Sequence, residues 1–260
     1  MKNMKKTLFV GCSAVTILLA VVILAINWKG IFSSKDYVDL GLSVKWATMN
    51  VGATKPYEYG DYFAWGETEP YYEAGYAQED PQEHWKEGKS HGYEPRSNKH
   101  FKDIELDEDG DVDDYSLSKY NNDRYYGTVD DKTVLDPEDD AATANWGKKW
   151  RMPTNEEIKE LIDNCEWTWY DEGNSEFKGV AGYKAQSKKA GYTDKWIFLP
   201  AAGSRDGSGL DVVGNWGYYL SSSLCTDWPR GAYFFGVHSS PVGRGHCSRY
   251  GGHSVRPVCQ

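Results

Sequence analysis

The second half of the chain predicts a helix followed by a series of short strands, and this order of elements restricts the fold more than any other feature of the sequence. In "RMPTNEEIKELIDNC", Thr154 and Glu157 have the spacing of a capping box, and Ile158, Leu161 and Ile162 fall on one helical face. Short runs rich in aromatic and β-branched residues follow, separated by Gly-rich turns. These runs are "WTWY", "GYKAQS", "WIFLPAAG", "GYYLSSS", "AYFFGV" and "HSVRPV".

An earlier helix is predicted at "LDPEDDAATANWG", where Asp136 can cap the helix and Pro137 fits its first position. Residues 71–125, in contrast, are rich in Tyr, Asp, Glu, Lys and Asn and poor in aliphatic residues, which is typical of long surface loops. Two helices followed by a meander of short, mostly antiparallel strands indicate an α+β fold.

The N-terminal part of the chain predicts a membrane anchor and a linker. Residues 1–6 are basic, residues 7–27 carry no charge over a length that can cross a bilayer as a helix, and residues 28–35 form a polar linker. Because basic flanks stay in the cytoplasm, we expect a transmembrane signal anchor and a single-pass protein of the cell envelope, with residues 36–260 outside the cytoplasm. A cleaved signal peptide, or lipid attachment at Cys12, with export of the domain is the alternative.

The composition limits the partners of the protein. A chain of 260 residues is long enough for one sizeable domain with its own core. Its net charge of −10 argues against binding to nucleic acid, which requires a positive field. We therefore expect no nucleic-acid partner.

Residues 225–253, "CTDWPRGAYFFGVHSSPVGRGHCSRYGGH", differ in composition from the rest of the chain. The segment contains no Lys, Glu, Gln, Met or Asn, and it carries Arg230, Arg244 and Arg249 against a single acid, Asp227. A Gly-rich strand-and-loop region disfavours Lys and Glu by itself. The alternative is that the amino-acid composition of this segment is determined differently from that of the rest of the chain.

Several motifs occur in a fixed order along the chain. They are "DLGLSVKWATMNVGA", "YFAWGET", "LDPEDDAATANWGKKWRMPTNEEIKELI", "IFLPAAGSRDGSGL", "GYYLSSS" and "SVRPV". Together they resemble the Fibrobacter succinogenes major paralogous domain family, which is similar to the formylglycine-generating-enzyme branch of the C-type lectin fold. The resemblance covers about residues 37–259 and implies a C-type-lectin-like fold. It implies less about function, because one fold carries many different sites.

Some members of this fold are variable proteins of diversity-generating retroelements, whose C-terminal segment is rewritten by mutagenesis of template adenines. Asn codons of the form AAC can then become any codon ending in C, and such codons cannot encode Lys, Glu, Gln, Met or Trp. The resemblance thus implies a variable segment over residues 225–253, with Trp228 as a fixed position. Relatives tend to carry Asn where this chain has Cys225, Asp227, Gly236, His238, Gly245, His246, Cys247 and Ser248.

The same resemblance implies that the segment is an exposed ligand surface on a rigid frame. Its Trp, Tyr and Arg residues have the chemistry of binding hot spots. We therefore expect a ligand-binding module for an unknown protein or surface ligand, without a cofactor and without catalytic activity. The expected ligand-binding residues are Cys225, Asp227, Trp228, Arg230, Phe234, Gly236, His238, Ser240, Gly243, Arg244, Gly245, His246, Cys247, Ser248 and Tyr250.

Two other functions stay open. One is an invariant envelope or adhesin domain of the same fold. The other is a copper oxidase of the formylglycine-generating type, because the enzymatic relatives bind copper through paired cysteines and this chain has Cys225 and Cys247. Neither cysteine stands in a motif that matches the enzyme. The chain also contains no catalytic-triad signature, P-loop, Rossmann fingerprint or His-x-x-x-His zinc pair, which argues against an enzyme.

An acidic stretch resembles the start of a calcium loop. Asp107, Asp109 and Asp111 alternate along it, as hard oxygen ligands for calcium do. Val112 and Ser118, however, stand where an EF-hand requires Gly and Glu. A solvated acidic loop is therefore favoured, and no metal is expected.

Four cysteines follow the N-terminal segment, and in an oxidising compartment they allow three pairings. If Cys225 and Cys247 are products of variation, as the resemblance implies, Cys165 and Cys259 are the remaining candidate disulfide. Arg151 and Arg256 are expected to be buried hydrogen-bond donors of the fold.

Overall fold

The computed structural model describes residues 36–71, 92–174, 176–239 and 242–260. Of these residues, 38% lie in strands and 12% in helices, so the protein is mostly β and the expected α+β class is wrong. The helices are shorter than an α+β fold requires. In addition, the stretch that we expected to be surface loops contains two strands of six residues each, Phe101–Leu106 and Val112–Leu117.

The strands are short and follow one another through most of the described chain. They are β1 (Tyr37–Val38), β2 (Lys45–Ala47), β3 (Tyr62–Phe63), β4 (Phe101–Leu106), β5 (Val112–Leu117), β6 (Cys165–Tyr170), β7 (Gly182–Ser187), β8 (Trp196–Pro200), β9 (Ser204–Asp206), β10 (Gly209–Asp211), β11 (Trp216–Leu224), β12 (Gly231–His238), β13 (Gly243–Ser248), β14 (His253–Ser254) and β15 (Val258–Cys259). The α-helices are α1 (Ala141–Trp146) and α2 (Asn155–Asn164), and single 3-10 turns occur at Pro95–Ser97, Arg124–Tyr126 and Pro137–Asp139.

A five-stranded sheet with the order β13-β12-β11-β14-β3 organises the fold. Neighbouring strands are antiparallel except β11 and β14, which are parallel. In this sheet Tyr219 of β11 lies opposite Phe235 of β12, and Tyr62 of β3 lies opposite Ser254 of β14. Strands that are distant in sequence therefore meet in the centre of the molecule.

The two faces of this sheet bury different parts of the core. On one face, Tyr219, Phe235 and Val237 pack with Ile158 and Leu161 of α2. The other face contributes to a second cluster, whose members include Phe63, Trp65, Leu220, Ala232 and Val255. Both faces are thus partly covered. The edge strand β13, in contrast, has several exposed residues.

Smaller sheets complete the fold. β1, β2 and β15 form an antiparallel sheet, as do β6, β7 and β8, while β4 pairs with β5 and β9 with β10. Arg256 connects β2 and the residues that follow it to β8. Its guanidinium donates to Ala47 O at 3.1 Å, to Asn50 Oδ1 at 2.8 Å and to Phe198 O at 2.9 Å. The prediction of a buried hydrogen-bond donor is confirmed for Arg256, which is 0% exposed. It is wrong for Arg151, which is half-buried and pairs with Glu157 at 2.6 Å.

The helix ends follow one local prediction and depart from another. At α2, Thr154 Oγ1 accepts from Glu157 N at 3.2 Å and Glu157 Oε2 accepts from Thr154 N at 2.9 Å, so the predicted capping box is present. At α1, Asp140 and not Asp136 is the cap: its carboxylate accepts from Thr143 N at 2.8 Å. The residues after Asp136 form a 3-10 turn instead of the first helical turn.

In the described parts of the chain, no helix is long and apolar enough to cross a membrane. The longest of them, α2, has 10 residues and spans about 15 Å, roughly half the hydrocarbon thickness of a bilayer. This finding contradicts the transmembrane helix and the single-pass localisation expected from the sequence. The run for which the span was predicted, residues 7–27, lies outside the described residues.

The four described cysteines are free thiols, so the expected Cys165–Cys259 disulfide is not formed. The two residues lie in different parts of the core. Cys165 packs in the cluster that contains Ile158 of α2, whereas Cys259 packs with Ala47 and Trp150. Burial raises the pKa of Cys165 to about 12, which keeps this thiol protonated and unreactive.

Candidate ligand-binding surface

Residues 225–253 form one end of the five-stranded sheet. A turn over residues 225–230 leads into β12, which pairs with β13, and β13 is the outermost strand. Successive side chains of a strand point to opposite faces. Odd-numbered residues of β12 point toward α2, where Phe235 and Val237 join the core, and even-numbered residues point to the other face. The expected ligand residues are therefore divided between two faces.

On the α2 face, five side chains lie next to one another and form what we name the Tyr233 patch: Asp227, Trp228, Tyr233, Arg244 and His246. The ring centroids of Trp228 and His246 are 5.6 Å apart in an edge arrangement. His246 lies directly opposite Tyr233 in the β12–β13 ladder. Asp227, Arg244 and His246 are exposed, and the other two residues are half-buried. Tyr233 was not among the expected ligand residues.

The hydroxyl of Tyr233 is influenced by several groups. Desolvation raises the pKa of this phenol, the Cys225 thiol and the Asp227 carboxylate raise it further, and Arg244 lowers it. The net effect is a pKa above the ordinary value near 10, so the phenol stays protonated at neutral pH. The Tyr233 patch can therefore offer a hydroxyl, aromatic faces and one exposed charge of each sign.

The turn that precedes β12 fixes the indole of Trp228. Trp228 N donates to Cys225 O at 3.1 Å, and Gly231 N donates to Trp228 O at 2.8 Å. The indole covers Gly231, because a Cβ built at this glycine would lie 2.3 Å from a ring carbon of Trp228. Only glycine at position 231 leaves room for the indole in this position.

Arg230, an expected ligand residue, is bound within the protein. Its guanidinium forms an ion pair with Asp114 and donates to Tyr115 O at 2.6 Å. It also lies 4.3 Å from the ring centroid of Tyr115 and 5.2 Å from that of Tyr126. Arg230 thus connects the segment to the β4–β5 hairpin.

On the face away from α2, Phe234 and His238 belong to a row of rings. His238 stacks on Trp216 with 3.8 Å between ring centroids, and Tyr218 lies 5.3 Å from Phe234 and 5.5 Å from His253. His253 is 6% exposed, and burial lowers its pKa to about 4, so it is neutral at physiological pH. Phe234 and His238 therefore pack against neighbouring rings as well as facing solvent in part.

Two glycines of this face, Gly236 and Gly245, lie against the ring of Phe234. Gly236 is buried, and a Cβ at Gly245 would lie 3.1 Å from the ring of Phe234. A Cβ at Gly243 would meet no atom within 4 Å, so this position faces open space. Of the other expected residues, Ser248 and Tyr250 are half-buried and Ser240 lies outside the described residues.

The two cysteines of the segment point to different faces. Cys247 lies opposite Ala232, and its thiol is 4.0 Å from Ala232 O. Cys225 is buried and hydrogen-bonds to the side chain of Tyr233. Tyr233 follows Ala232 in β12, so its side chain points to the face opposite that of Ala232 and Cys247. Burial raises the pKa of Cys247 to about 12. Two thiols on opposite faces do not form the paired ligands that the copper oxidase alternative requires.

The sequence does not distinguish Arg249 from the exposed arginines of the segment, but the structure does. Arg249 is 0% exposed and donates to the carbonyls of Lys119, Tyr120 and Pro229 at 3.3 to 3.4 Å. Its guanidinium lies 4.7 Å from the ring centroid of Trp65. Burial lowers the pKa of Arg249 to about 9. This arginine belongs to the core and not to the surface.

The aspartates of the acidic stretch form a hairpin turn. Asp107 Oδ1 accepts from Asp109 N at 3.0 Å and from Asp111 N at 2.9 Å, and Gly110 adopts φ 86° between them. All of these residues are exposed. The carboxylate of Asp107 therefore closes the turn between β4 and β5, as in an Asx turn.

Another acidic group, formed by Asp136, Glu138 and Asp139, has its carboxylates close enough together to hold a cation. The ammonium of Lys119 lies among them, 2.8 Å from Asp136, 3.4 Å from Glu138 and 2.7 Å from Asp139. A lysine thus supplies the positive charge for these acids.

Comparison with known proteins adds no relative: no family model, no curated protein and no solved structure matches this chain.

Proposed function

We propose that this protein is a ligand-binding module and that the Tyr233 patch is its binding surface. The observation that carries the proposal is the separation of roles within one hairpin. Phe235 and Val237 hold β12 to the core, whereas the side chains of Asp227, Arg244 and His246 are exposed. Arg244 donates a long hydrogen bond to Asn155 O at 3.4 Å, and His246 lies at the edge of Trp228. A hairpin of this kind can present recognition groups without depending on them for folding.

The chemistry of the patch suits a protein or another surface ligand. Trp, Tyr and Arg are the residues most enriched at the energetic centres of protein interfaces. The indole of Trp228 is held over Gly231, and the side chain of Tyr233 hydrogen-bonds to Cys225, so ordering these rings on binding costs little entropy. Arg244 and Asp227 provide opposite charges that can select a complementary partner. The net charge of −10 remains unfavourable for nucleic acid.

The proposal extends to variation of the segment by a retroelement. The family that the chain resembles tends to carry Asn at several positions of the segment. Of these, Asp227 and His246 are exposed, and His238 and Ser248 are half-buried. Exposed positions accept substitution with effects within about 0.5 kcal/mol, which is the tolerance that variation needs. Cys225 and Gly236 are the exceptions, because both are buried. Sequencing the gene tests this: codons ending in C at these positions, with a near-copy template close by, support variation, and their absence favours the invariant domain.

A capture experiment tests the binding surface. The wild-type domain and the variant Trp228→Ala/Arg244→Ala are immobilised, exposed to an extract of the producing cell, and the retained molecules are identified by mass spectrometry. A control variant, Glu166→Ala/Thr168→Ala, changes exposed residues of β6 in another sheet. We expect a ligand that is retained by the wild type and the control and lost from the patch variant. A ligand retained equally by all three places the binding surface elsewhere.

A further inference from the structure

β13 is an open edge of the five-stranded sheet. It pairs with β12 on one side, and no strand of the described residues pairs with it on the other. The strand has six residues, and Gly243, Arg244 and His246 are exposed. Such an edge presents unpaired backbone groups that can template another strand.

The ladder register identifies these groups. Arg249 N donates to Arg230 O at 3.1 Å, which makes this pair a hydrogen-bonded one at the end of the β12–β13 ladder. Hydrogen-bonded and non-hydrogen-bonded pairs alternate in an antiparallel ladder. The pairs of Arg244 with Phe235 and of His246 with Tyr233 are therefore non-hydrogen-bonded. The N–H and C=O groups of Arg244 and His246 consequently point outward, away from β12.

In the described parts of the chain, the charge of Arg244 is the only feature that hinders strand addition at this edge. Residues 243–248 contain no Lys or Pro, and their pairing with β12 has no bulge, although these are the features that usually prevent strand addition. Gly243 and Gly245 add no side chain that would obstruct an approaching backbone. The side chains of Arg244 and His246 lie on the α2 face together with the Tyr233 patch.

We propose that β13 binds an extended acidic segment of a protein ligand by strand addition, so that the ligand forms the next strand of the sheet. This inference rests on the proposed function and specifies its partner. A strand added about 4.8 Å from β13 would place alternate side chains beside Arg244 and His246, where acidic residues meet the arginine. A second copy of the chain is the less suitable occupant, because its β13 strand contains no acidic residue that could pair with Arg244.

A matched pair of variants at one position separates backbone from side-chain recognition. The probe is a library of random peptides displayed on phage and selected on the full chain. His246→Ala removes the imidazole and keeps the outward N–H. His246→Pro removes the outward N–H as well, yet leaves every β12–β13 hydrogen bond in place, because this residue makes none of them. We expect selected peptides with acidic residues at alternate positions, whose affinity falls at least about tenfold for His246→Pro and less than about threefold for His246→Ala.

Hydrogen exchange of the wild-type protein provides a second readout that needs no substitution. With a selected peptide bound, the amide protons of Arg244 and His246 should become protected, and those of Gly245 and Cys247, which already bond to β12, should change little. Equal losses for His246→Ala and His246→Pro, or no new protection at Arg244 and His246, would overturn strand addition and leave the Tyr233 patch as the binding surface. The selected peptides could also bind His246→Ala, His246→Pro and Trp228→Ala/Arg244→Ala as tightly as they bind the wild type. This result would overturn the proposed function as well.

Discussion

Three arginines within twenty residues have three different roles. Arg244 is exposed at the edge strand, Arg230 pairs with Asp114 and lies against aromatic rings, and Arg249 is fully buried against carbonyl groups and Trp65. Their sequence surroundings are alike in one respect, since each has a glycine within two residues. The role of each arginine depends on the residues that contact it, and most of these are distant in sequence. A local sequence pattern carries no information about such contacts.

Arg249 and Arg244 form a natural pair for a stability test. Arg249→Ala should lower the free energy of unfolding by about 3 kcal/mol, because it removes packing against Trp65 and leaves buried carbonyls without donors. Arg244→Ala should change it by less than about 0.5 kcal/mol, as exposed substitutions usually do. Urea denaturation of both variants measures the difference. Equal effects would show that the two arginines are not divided into core and surface.

His253 makes stability depend on pH. The folded protein holds this imidazole neutral down to a pKa of about 4, whereas the unfolded chain binds the proton near pH 6.5. The unfolded state therefore binds more protons between these values, and stability is lost as the pH falls. Between pH 6.5 and 5 one such histidine should lose about 1.5 kcal/mol.

His100 has its pKa lowered to about 4 as well, again chiefly by burial, so it should contribute a similar loss. The variant His253→Asn should consequently lose about half as much stability as the wild type between pH 6.5 and 5. Unfolding curves at the two pH values provide the test. An unchanged dependence in His253→Asn would mean that this imidazole is not held neutral by the fold.

At the scale of elements, the segment depends on a hairpin and on the turn before it. The turn places Trp228 over Gly231, β12 anchors the hairpin to the core, and β13 forms the edge.

Local spacing predicted the capping box of α2, because Thr154 and Glu157 lie within one turn of helix. It did not distinguish Asp136 from Asp140 as the cap of α1, since both precede suitable helix starts. Strands that contain several acidic residues, such as β4 and β5, have no regular apolar alternation and were predicted as loops.

Two glycine substitutions test the turn and the edge. Gly231→Ala should force the indole of Trp228 away from β12, lower stability by about 1 to 3 kcal/mol and shift the tryptophan fluorescence. Gly243→Ala should be tolerated, because no atom lies within 4 Å of the added methyl group. Thermal melting of the two variants compares them directly. Equal tolerance of alanine at both sites would show that Trp228 does not cover Gly231.

At the scale of the whole molecule, pairings between distant residues hold the candidate surface in place. β3 pairs with β14 across about 190 residues of sequence, and Arg230 joins the segment to the β4–β5 hairpin. The unusual composition of residues 225–253 drew attention to the segment, and four of the five residues of the proposed Tyr233 patch are among the expected ligand residues. They could not divide the segment between two faces, because that division depends on the register of β12 with β11 and β13. For the same reason Trp216 and Tyr218, which lie beside Phe234 and His238, were not singled out.

The most direct test of the central claim is saturation mutagenesis of residues 225–253 with two readouts for every variant. Resistance to protease measures folding, and retention of the captured ligand measures binding. We predict that substitutions at Asp227, Arg244 and His246 leave protease resistance unchanged and reduce binding, by about 2 kcal/mol or more at the strongest position. Substitutions at Phe235 should abolish both. The claim would be contradicted if the three exposed positions tolerated every substitution for binding, or if they affected folding as strongly as Phe235 does.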